Sequence, residues 1–402
     1  MHTMQRRNFI RIVGGGTITA ATLASTATLS ACAASGDYPE AAIEAWQGPG
    51  AEADSRRRAL AYAITAPNPH NLQPWLVDLR QADTIILKTD PQRVLPETDP
   101  FGRQILIGHG AFIELLVMAL SKEGLQAQVT LWPEGELTPN LKGWDARPVA
   151  SIALRKLNTV AAPDALFEHI LKRRTPKSDY DTARAVSATT LQTLLDSSKS
   201  AAITVGGTVE ATQLATMREL CWQSAQVELL TPRTYLESSK LLRIGPSEIL
   251  KNRDGISINS TFLRLANAMG MFDRNAPLVL GSSAYKTAMG RFEGHSRSAM
   301  GFVWLTSTGS SRSQQIEAGR IYLRLQLKAT ELGLGMHPMS QALQEFTEMK
   351  PYYEKVHQIV LGKPAPLTLG DATVQMFCRL GYSVNPAPST PRRPLEKFLQ
   401  EV

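Results

Sequence analysis

Cysteine and histidine are too few and too scattered in this chain of 402 residues to suggest a metal centre. Cys32, Cys221 and Cys378 form no Cys-x-x-Cys pair, and the seven histidines show no ligand spacing, so we expect no metal site. Whether Cys221 and Cys378 form a disulfide stays open, because a sequence does not show proximity. The chain also lacks coiled-coil heptads and, outside its N-terminal segment and proline-rich tail, low-complexity stretches.

A strong excess of charge of one sign is missing too. The formal net charge is +7, and three of the positive charges, Arg6, Arg7 and Arg11, lie in the first 32 residues, which contain no acid. Without those residues the net charge is +4 (7 − 3). A net charge this small does not favour a nucleic-acid partner, because proteins that bind nucleic acid typically have a strongly basic surface.

The first 32 residues have the features of an export signal. Arg6 and Arg7 precede an apolar run over 12–29 that is too weakly hydrophobic for a good transmembrane span. A twin arginine before such a run predicts export by the Tat machinery. The three consecutive glycines in this run are not a phosphate loop, because no strand precedes them.

The export signal ends on a sequence similar to a bacterial lipobox, Leu29-Ser30-Ala31-Cys32. We expect acylation of Cys32 and a periplasmic lipoprotein anchored to a membrane, since several acyl chains on one terminus anchor stably. Cleavage nearby without acylation, which would leave a free periplasmic protein, is the alternative. Residues 33–55 are small, polar and acidic, and are predicted to form a tether with one short helix.

The rest of the chain predicts a mixture of helices and strands, an α+β class. Two long helices, 104–123 and 313–332, are apolar over much of their surface, and we expect them in the core. The predicted strands are 76–79, 84–88, 126–132, 150–157, 299–306 and 374–381, and shorter helices are predicted at 56–65 and 187–198. Residues 221–275 look helical without strong strands.

The two long helices share a repeated feature. Gly110 is followed by Gly124-Leu125, and Gly319 by Gly333-Leu334, at the same spacing. A unit repeated at about the length of a domain indicates a duplication. The alternative is coincidence, because many helices end on glycine followed by leucine.

The chain is organised around residues 66–75, which read Ala-Pro-Asn-Pro-His-Asn-Leu-Gln-Pro-Trp. Three prolines fix φ and remove backbone donors, so this stretch is predicted to be a stiff, non-helical loop. A stiff loop presents Asn68, His70, Asn71 and Gln73 in set directions, which suits a planar ligand with polar edges. A plain proline-rich connector is the alternative.

Two basic clusters lie later in the chain. The first is Lys172-Arg173-Arg174-Thr175 with Lys177, and the second is Arg392-Arg393 near the C-terminus. Arginine forks match phosphate oxygens and a threonine hydroxyl can donate to them, so the first cluster is a candidate phosphate site. A solvated basic turn is the alternative.

Together these motifs resemble the nitroreductase family, specifically its tandem-fused Acg-type subgroup. The loop 66–75 is similar to the family's flavin-edge pattern, with Asn68 in the place of a serine, and both basic clusters are similar to its phosphate-binding motifs. The segment 337–340 is similar to one that packs on the flavin, with Ser340 where many members have a glutamate. The resemblance implies FMN, held by Pro67, Asn68, Pro69, Asn71, Gln73, Arg173, Arg174, Thr175, Lys177, Pro338, Met339, Ser340, Arg392 and Arg393.

The resemblance also implies a three-layer α/β/α fold of two fused halves, 56–160 and 161–402, that form an intramolecular pseudo-dimer. Ordinary members are homodimers with each flavin held between subunits. Here the edge loop lies in the first half and the phosphate cluster in the second, while 194–200, where a second loop is expected, contains no proline or tryptophan. The halves are therefore complementary, which predicts one FMN site in a monomer.

The expected activity is that of an FMN-dependent oxidoreductase, with Lys177 near the pyrimidine end of the flavin and no catalytic side chain named. Export leaves the electron donor open, because nicotinamide cofactors are cytosolic. A protein that stores or sequesters FMN under a cover formed by 221–275 is the alternative. A serine hydrolase is a third hypothesis, since 294–298 is close to Gly-x-Ser-x-Gly, but that motif needs a strand before it, and here the predicted strand follows.

Overall fold

The computed structural model describes residues 38–157, 164–270 and 272–400. The predicted Tat signal and the lipobox with Cys32 lie outside the described residues, and so does the start of the predicted tether.

Eleven α-helices and ten strands make up the described residues. The helices are α1 (Glu40–Ile43), α2 (Ser55–Ala63), α3 (Arg103–Lys122), α4 (Ala188–Leu195), α5 (Ala211–Leu230), α6 (Pro232–Lys240), α7 (Gly245–Asn252), α8 (Thr261–Ala268), α9 (Ser283–Arg297), α10 (Arg312–Glu331) and α11 (Lys350–Leu361). The strands are β1 (Trp75–Asp78), β2 (Thr84–Thr89), β3 (Leu125–Leu131), β4 (Ala150–Lys156), β5 (Ile203–Thr208), β6 (Leu242–Ile244), β7 (Ile256–Ile258), β8 (Gly301–Ser307), β9 (Gly335–Pro338) and β10 (Thr373–Gly381). Each helix and strand predicted from the sequence is present, with small shifts at its ends.

Two antiparallel four-stranded sheets form the framework. The first has the order β1-β2-β4-β3 and the second β5-β8-β10-β9, while β6 and β7 form a separate parallel pair. All strands of the first sheet precede residue 157, and all strands of the second follow residue 202. This separation agrees with a division of the chain into two halves.

The two sheets differ in how they are covered. In the second sheet alternate residues enter two different cores: Val303 and Cys378 pack with α4 and α10, whereas Phe302 and Phe377 pack with α5 and α11. That half therefore has three layers, helix on sheet on helix. The first sheet packs α2 and α3 on one face only, because β3 alternates exposed polar residues with partly buried apolar ones.

The long helices α3 and α10 meet at the two glycines of the sequence repeat. A Cβ atom on Gly110 would lie 2.0 Å from the Ile316 carbonyl oxygen, and one on Gly319 would lie 2.0 Å from the Ile107 carbonyl oxygen. The contacts are reciprocal, since each carbonyl belongs to the residue three positions before the opposite glycine. Only glycine permits the two backbones to approach so closely.

In the described part of the chain, α3 is the one helix that is long and apolar enough to cross a membrane. However, 83% of its most apolar stretch is buried in the protein. It is a core helix, as its pattern predicts. Glu114 on this helix is 5% exposed and bonds Arg320 and Arg324 of α10, each at 2.9 Å. This ion-pair group joins the two halves beside the glycine contact.

The C-terminal residues cross from the second half back to the first. Leu399 forms a parallel bridge with Val77 of β1, and the fully buried Phe398 packs against Trp75. This return brings the second basic cluster next to the proline-rich loop. Cys221 and Cys378, whose pairing the sequence leaves open, are both buried and free.

Candidate functional site

The proline-rich loop holds three residues in the left-handed backbone region. His70 has a φ of 49°, Asn71 of 54° and Gln73 of 54°, and they are half of the six non-glycine residues with positive φ in the described chain. Each such residue is strained, and strain of this kind concentrates at ligand sites. These φ values favour a ligand-binding role for the loop over that of a plain connector.

Asn68 shapes this loop from within. Its Nδ2 donates to the Ala66 carbonyl at 3.0 Å, and its Oδ1 accepts from the Gln73 backbone N–H at 2.8 Å. The loop also lies close to α3, where a Cβ on Gly108 would be 3.1 Å from the Asn68 Cβ. Both polar ends of Asn68 are thus engaged inside the loop, so its main role is to fix the loop's conformation.

Asn71 and Gln73 tie the loop to the C-terminal cluster. Asn71 Oδ1 accepts from Arg392 Nη1 at 2.6 Å, and its Nδ2 donates to the Pro391 carbonyl at 3.0 Å. The buried Gln73 accepts from the Arg393 backbone N–H at 2.9 Å. The structure therefore brings the first-half loop and the second-half tail together, as the complementary motifs predict.

Arg173 and Arg392 converge on the same carbonyl groups at the end of α2. Both donate to the Thr65 carbonyl, Arg173 at 3.1 Å and Arg392 at 3.0 Å, and Arg392 also donates to the carbonyl of Ile64 at 2.9 Å. The end of a helix carries partial negative charge, which favours cations there. Arg173 and Arg392, which belong to the two separate basic clusters of the sequence, thus form one arginine cluster with Arg174.

The positive charges of this arginine cluster are not balanced by described carboxylates. Arg173, Arg174 and Arg392 form no ion pair with a described carboxylate, although Arg173 and Arg392 are only 2% and 3% exposed. Burial lowers the pKa of Arg173 to about 10, and burial followed by the charges of Arg173 and Arg174 lowers that of Arg392. Buried charges are costly unless paired, so the cluster favours an anionic ligand.

One buried donor of the cluster is left without a partner. Arg173 Nη1 donates to Thr175 Oγ1 at 3.2 Å and Nη2 to Thr65, but Nε has no hydrogen-bond partner among the described residues. A buried N–H that lacks a partner indicates a ligand or water in the functional state. An FMN phosphate, with its charge and several acceptor oxygens, fits this donor set.

Trp46 lies over all three arginines of the cluster. Its ring centroid is 4.4 Å from the guanidinium carbon of Arg174, 5.2 Å from that of Arg392 and 5.4 Å from that of Arg173. Its Nε1 donates to the Thr390 carbonyl at 2.7 Å. The predicted tether, which the structure describes from Tyr38 onwards, is therefore folded onto the arginine cluster. Cation–π contacts hold Trp46 there. Trp46 was not predicted as a site residue, although a tryptophan in a small, polar segment is a signal.

Further basic groups surround Lys177. The Lys177 side chain is exposed, yet desolvation by the surrounding protein lowers its pKa to about 8, and the charges of Arg291 and Arg392 add to this. Burial followed by the Lys177 charge lowers the pKa of His70 to about 4. The rings of His295 and His337 lie 5.5 Å apart, and Arg379 Nε donates to His337 Nδ1 at 3.0 Å.

Arg291, His295 and His337 were not predicted as site residues. Burial is the main cause that lowers the pKa of each, and the charge of Arg291 contributes for both histidines. His295 is also hydrogen-bonded to the backbone of Lys177. Their spacing in the sequence gave no signal, because only tertiary packing brings them together.

The predicted flavin-packing segment contributes less than expected. The Met339 side chain is 1% exposed in the core beside Phe377, and Ser340 Oγ contacts the Met376 sulfur at 3.3 Å. Pro338 ends β9 opposite Cys378. This segment approaches Lys177 through its first residue, His337.

The remaining predicted site residues are two prolines of the loop and two arginines. Pro67 and Pro69 shape the loop, and Arg174 Nη1 donates to the Leu171 carbonyl at 2.7 Å. Arg393 offers its backbone N–H to the loop, while its guanidinium lies over Phe398 at 4.8 Å and donates to the Lys397 carbonyl. The Arg393 side chain therefore points into the C-terminal tail.

The segment 221–275 packs directly on the loop. Ser238 Oγ lies 2.9 Å from His70 Nε2, the Gly255 N–H donates to the Asn71 carbonyl at 3.2 Å, and the Arg253 carbonyl accepts from Gln73 Nε2 at 2.9 Å. These contacts join the stretch from Ser238 to Gly255 to the loop, and its role as a cover of a flavin stays a prediction.

The serine-hydrolase hypothesis is wrong. Residues 294–298 form the end of α9, so a helix precedes Ser296 and a strand follows it. Ser296 is fully buried, and its hydroxyl donates to the Phe292 carbonyl at 2.9 Å. A nucleophile elbow needs an exposed serine on a strand-to-helix turn.

Comparison with known proteins identifies the relatives of this fold and site. No family model matches the chain. The Mycobacterium tuberculosis protein named "Putative NAD(P)H nitroreductase acg" is 27% identical over 354 residues, which cover 86% of this chain and 95% of the relative. The chain is thus similar to this Acg-type nitroreductase over most of the length of both proteins.

Other similarities are shorter or more distant. A second Mycobacterium tuberculosis protein, named "Putative NAD(P)H nitroreductase Rv3131", is 32% identical over 130 residues, 32% of this chain and 35% of that protein. The crystal structure of the FMN-dependent nitroreductase NfnB from Mycobacterium smegmatis in complex with NADPH is 14% identical and covers 58% of this chain and 96% of its own, with a TM-score of 0.37.

Proposed function

We propose that the protein is an FMN-dependent oxidoreductase that holds one FMN between its two halves. The observation that carries this proposal is the arginine cluster, whose buried charges lack a described carboxylate partner and which lies against the strained loop of the other half. The names of the relatives, which include nitroreductases, support the same chemistry.

The chain's residues suit the two ends of this cofactor. Arg173, Arg174 and Arg392 would hold the phosphate, and the loop around Asn71 and Gln73 would face the polar edge of the ring system. FMN, when bound, supplies hydride transfer, while the protein supplies binding, orientation and charge. Lys177, whose pKa is lowered to about 8, would place a positive charge near the pyrimidine end.

The two halves would act as the two subunits of an intramolecular pseudo-dimer. The reciprocal packing of Gly110 and Gly319 supports this arrangement, since it is the contact expected at a two-fold axis. The one-sided distribution of the motifs supports a single flavin per chain and a monomer.

Turnover is tested by following the flavin itself. We expect the FMN-loaded protein to bleach under a chemical reductant and to recover its absorbance when a nitroaromatic or a quinone is added. Lys177→Met should lower the two-electron midpoint potential by about 30–60 mV, because a charge-assisted contact contributes about 1.5–3 kcal/mol. A protein whose absorbance does not respond to FMN supplementation would contradict the proposal.

Storage or sequestration of FMN is the second candidate function. The contacts of Ser238, Arg253 and Gly255 with the loop support it, because a segment bonded to this loop could cover the edge of a bound flavin. In that case the bound flavin would bleach slowly and would not be reoxidised faster than by oxygen when an acceptor is added. The same experiment therefore separates storage from turnover.

Location is proposed from the N-terminal sequence. The twin arginine and the lipobox support Tat export and a periplasmic lipoprotein anchored through Cys32, with an electron donor other than cytosolic nicotinamide. Cys32→Ser should move the protein from the membrane fraction to the soluble fraction and block processing at that bond. Unchanged membrane association together with unchanged processing would contradict acylation.

A further inference from the structure

Exposed apolar side chains are concentrated in one region of the surface. Of the eleven large apolar side chains that are exposed in the described chain, five lie between residues 262 and 280. These five, here called the apolar patch, are Phe262, Leu265, Met269, Val279 and Leu280. Their exposure ranges from 56% to 72%, so they lie well out of the fold. Exposed apolar side chains concentrated in this way indicate an interaction site.

The orientation of α8 explains the patch. Phe262, Leu265 and Met269 follow the i, i+3, i+7 spacing of one helix face, and that face points to solvent. Leu263 and Ala266 are partly buried on the inner side, where the helix packs on β6. The helix is thus apolar on its outer face, the reverse of an ordinary surface helix.

Charge around the patch favours an anionic surface. Residues 261–286 contain Arg264, Arg274, Lys286 and one acid, Asp273, but Arg274 is paired with Glu248 at 2.7 Å, so the net charge with this partner is +1 (3 − 2). Residues 275–285 contain no charged residue at all. Exposed apolar side chains flanked by basic ones are typical of segments that lie in the interface of an anionic bilayer.

The start of the described chain lies beside the same region. Helix α1 packs on α7, and Glu44 pairs with Arg253 at 2.9 Å. Cys32 is six residues before Tyr38, a span of at most about 20 Å when fully extended. An acyl anchor on Cys32 would therefore hold the bilayer next to the structural unit that carries the patch.

We propose that the apolar patch docks on the anionic membrane surface to which the N-terminus is anchored. In the cell this docking rests on the proposed export and acylation, but binding of the patch to lipid does not. It would orient the protein with the apolar patch against the bilayer.

The test uses the FMN-loaded full chain with Cys32→Ser. Leu265→Cys is labelled with an environment-sensitive fluorophore, and Leu367→Cys, at a position 93% exposed on another part of the surface, is the matched control. The native Cys221 and Cys378 are buried, so the label attaches at one site. With vesicles of phosphatidylethanolamine and phosphatidylglycerol we expect a blue shift at residue 265 and none at 367.

A second comparison measures affinity. Phe262→Ser combined with Met269→Ser should raise the lipid concentration needed for half of the shift by roughly tenfold or more, since two apolar side chains no longer enter the bilayer. No shift, or equal shifts at 265 and 367, would overturn the proposal. A shift that grows with protein concentration without vesicles would overturn it too, in favour of self-association. If Cys32 is not acylated in cells while the shift persists, the location fails and the docking stands.

Discussion

Gly110→Ala should lower the free energy of unfolding by about 3 kcal/mol, the upper end of the usual cost of overpacking. The new Cβ would lie 2.0 Å from the carbonyl oxygen of Ile316, and this atom belongs to the backbone of α10. A backbone atom inside a helix cannot rotate away as a side chain can, so the two helices must separate. The gain in helix propensity from glycine to alanine, about 1 kcal/mol, offsets only part of this cost.

Gly290→Ala is the matched control for this change. Gly290 also lies inside a helix, α9, but nothing lies within 4 Å of its added Cβ. It should therefore stabilise the protein by up to about 1 kcal/mol. Urea unfolding of both variants measures the change in the free energy of unfolding. Equal changes at the two positions would contradict close packing at Gly110.

The double variant Gly110→Ala with Gly319→Ala gives a sharper test. The two glycines face each other, and an added Cβ on either would lie 2.9 Å from the Cα of the other. Once the helices have moved apart for one alanine, the second needs less further space. We expect the double variant to be less destabilised than the sum of the single variants, by about 1 kcal/mol or more. Additive costs would place the glycines in independent environments.

The elements that sequence could predict are those with local signals. Proline spacing marked the loop 66–75, and the apolar pattern marked α3 and α10, because φ restriction and helical periodicity act within a few residues. The repeated glycines were visible for the same reason, and the structure shows what they do. The alternating pattern of 125–131 also carried the information that one face of the first sheet is open.

What the sequence could not predict depends on contacts between distant residues. Trp46 reaches its partner Thr390 across 344 positions, and no local pattern announces such a contact. The proximity of His295 to His337 likewise arises only when α9 packs on β9. The burial of the Met339 side chain in the core also depends on tertiary packing, so a role of this residue at the flavin stays a prediction.

The last expectation concerns the arginine cluster and the number of flavins. Arg392→Ala should weaken FMN binding by roughly tenfold to a hundredfold, and Arg173→Ala by a similar factor, since a charge-assisted bond to phosphate contributes about 1.5–3 kcal/mol. Arg392→Lys should fall in between, because it keeps the charge and loses the fork. Lys199→Ala, exposed in the segment where a second loop is missing, should change little.

Both arginines also bond the carbonyl groups at the end of α2, so their loss affects folding as well as binding. Thermal unfolding of the apoprotein separates the two effects, because a purely structural role would lower the melting temperature without a comparable loss of FMN affinity in the folded protein. The complementary halves predict saturation at one FMN per chain in a monomer, measured by titration and sedimentation. Two equivalent sites per chain, or an obligate dimer, would show instead that each half builds a site of its own or shares one with a partner.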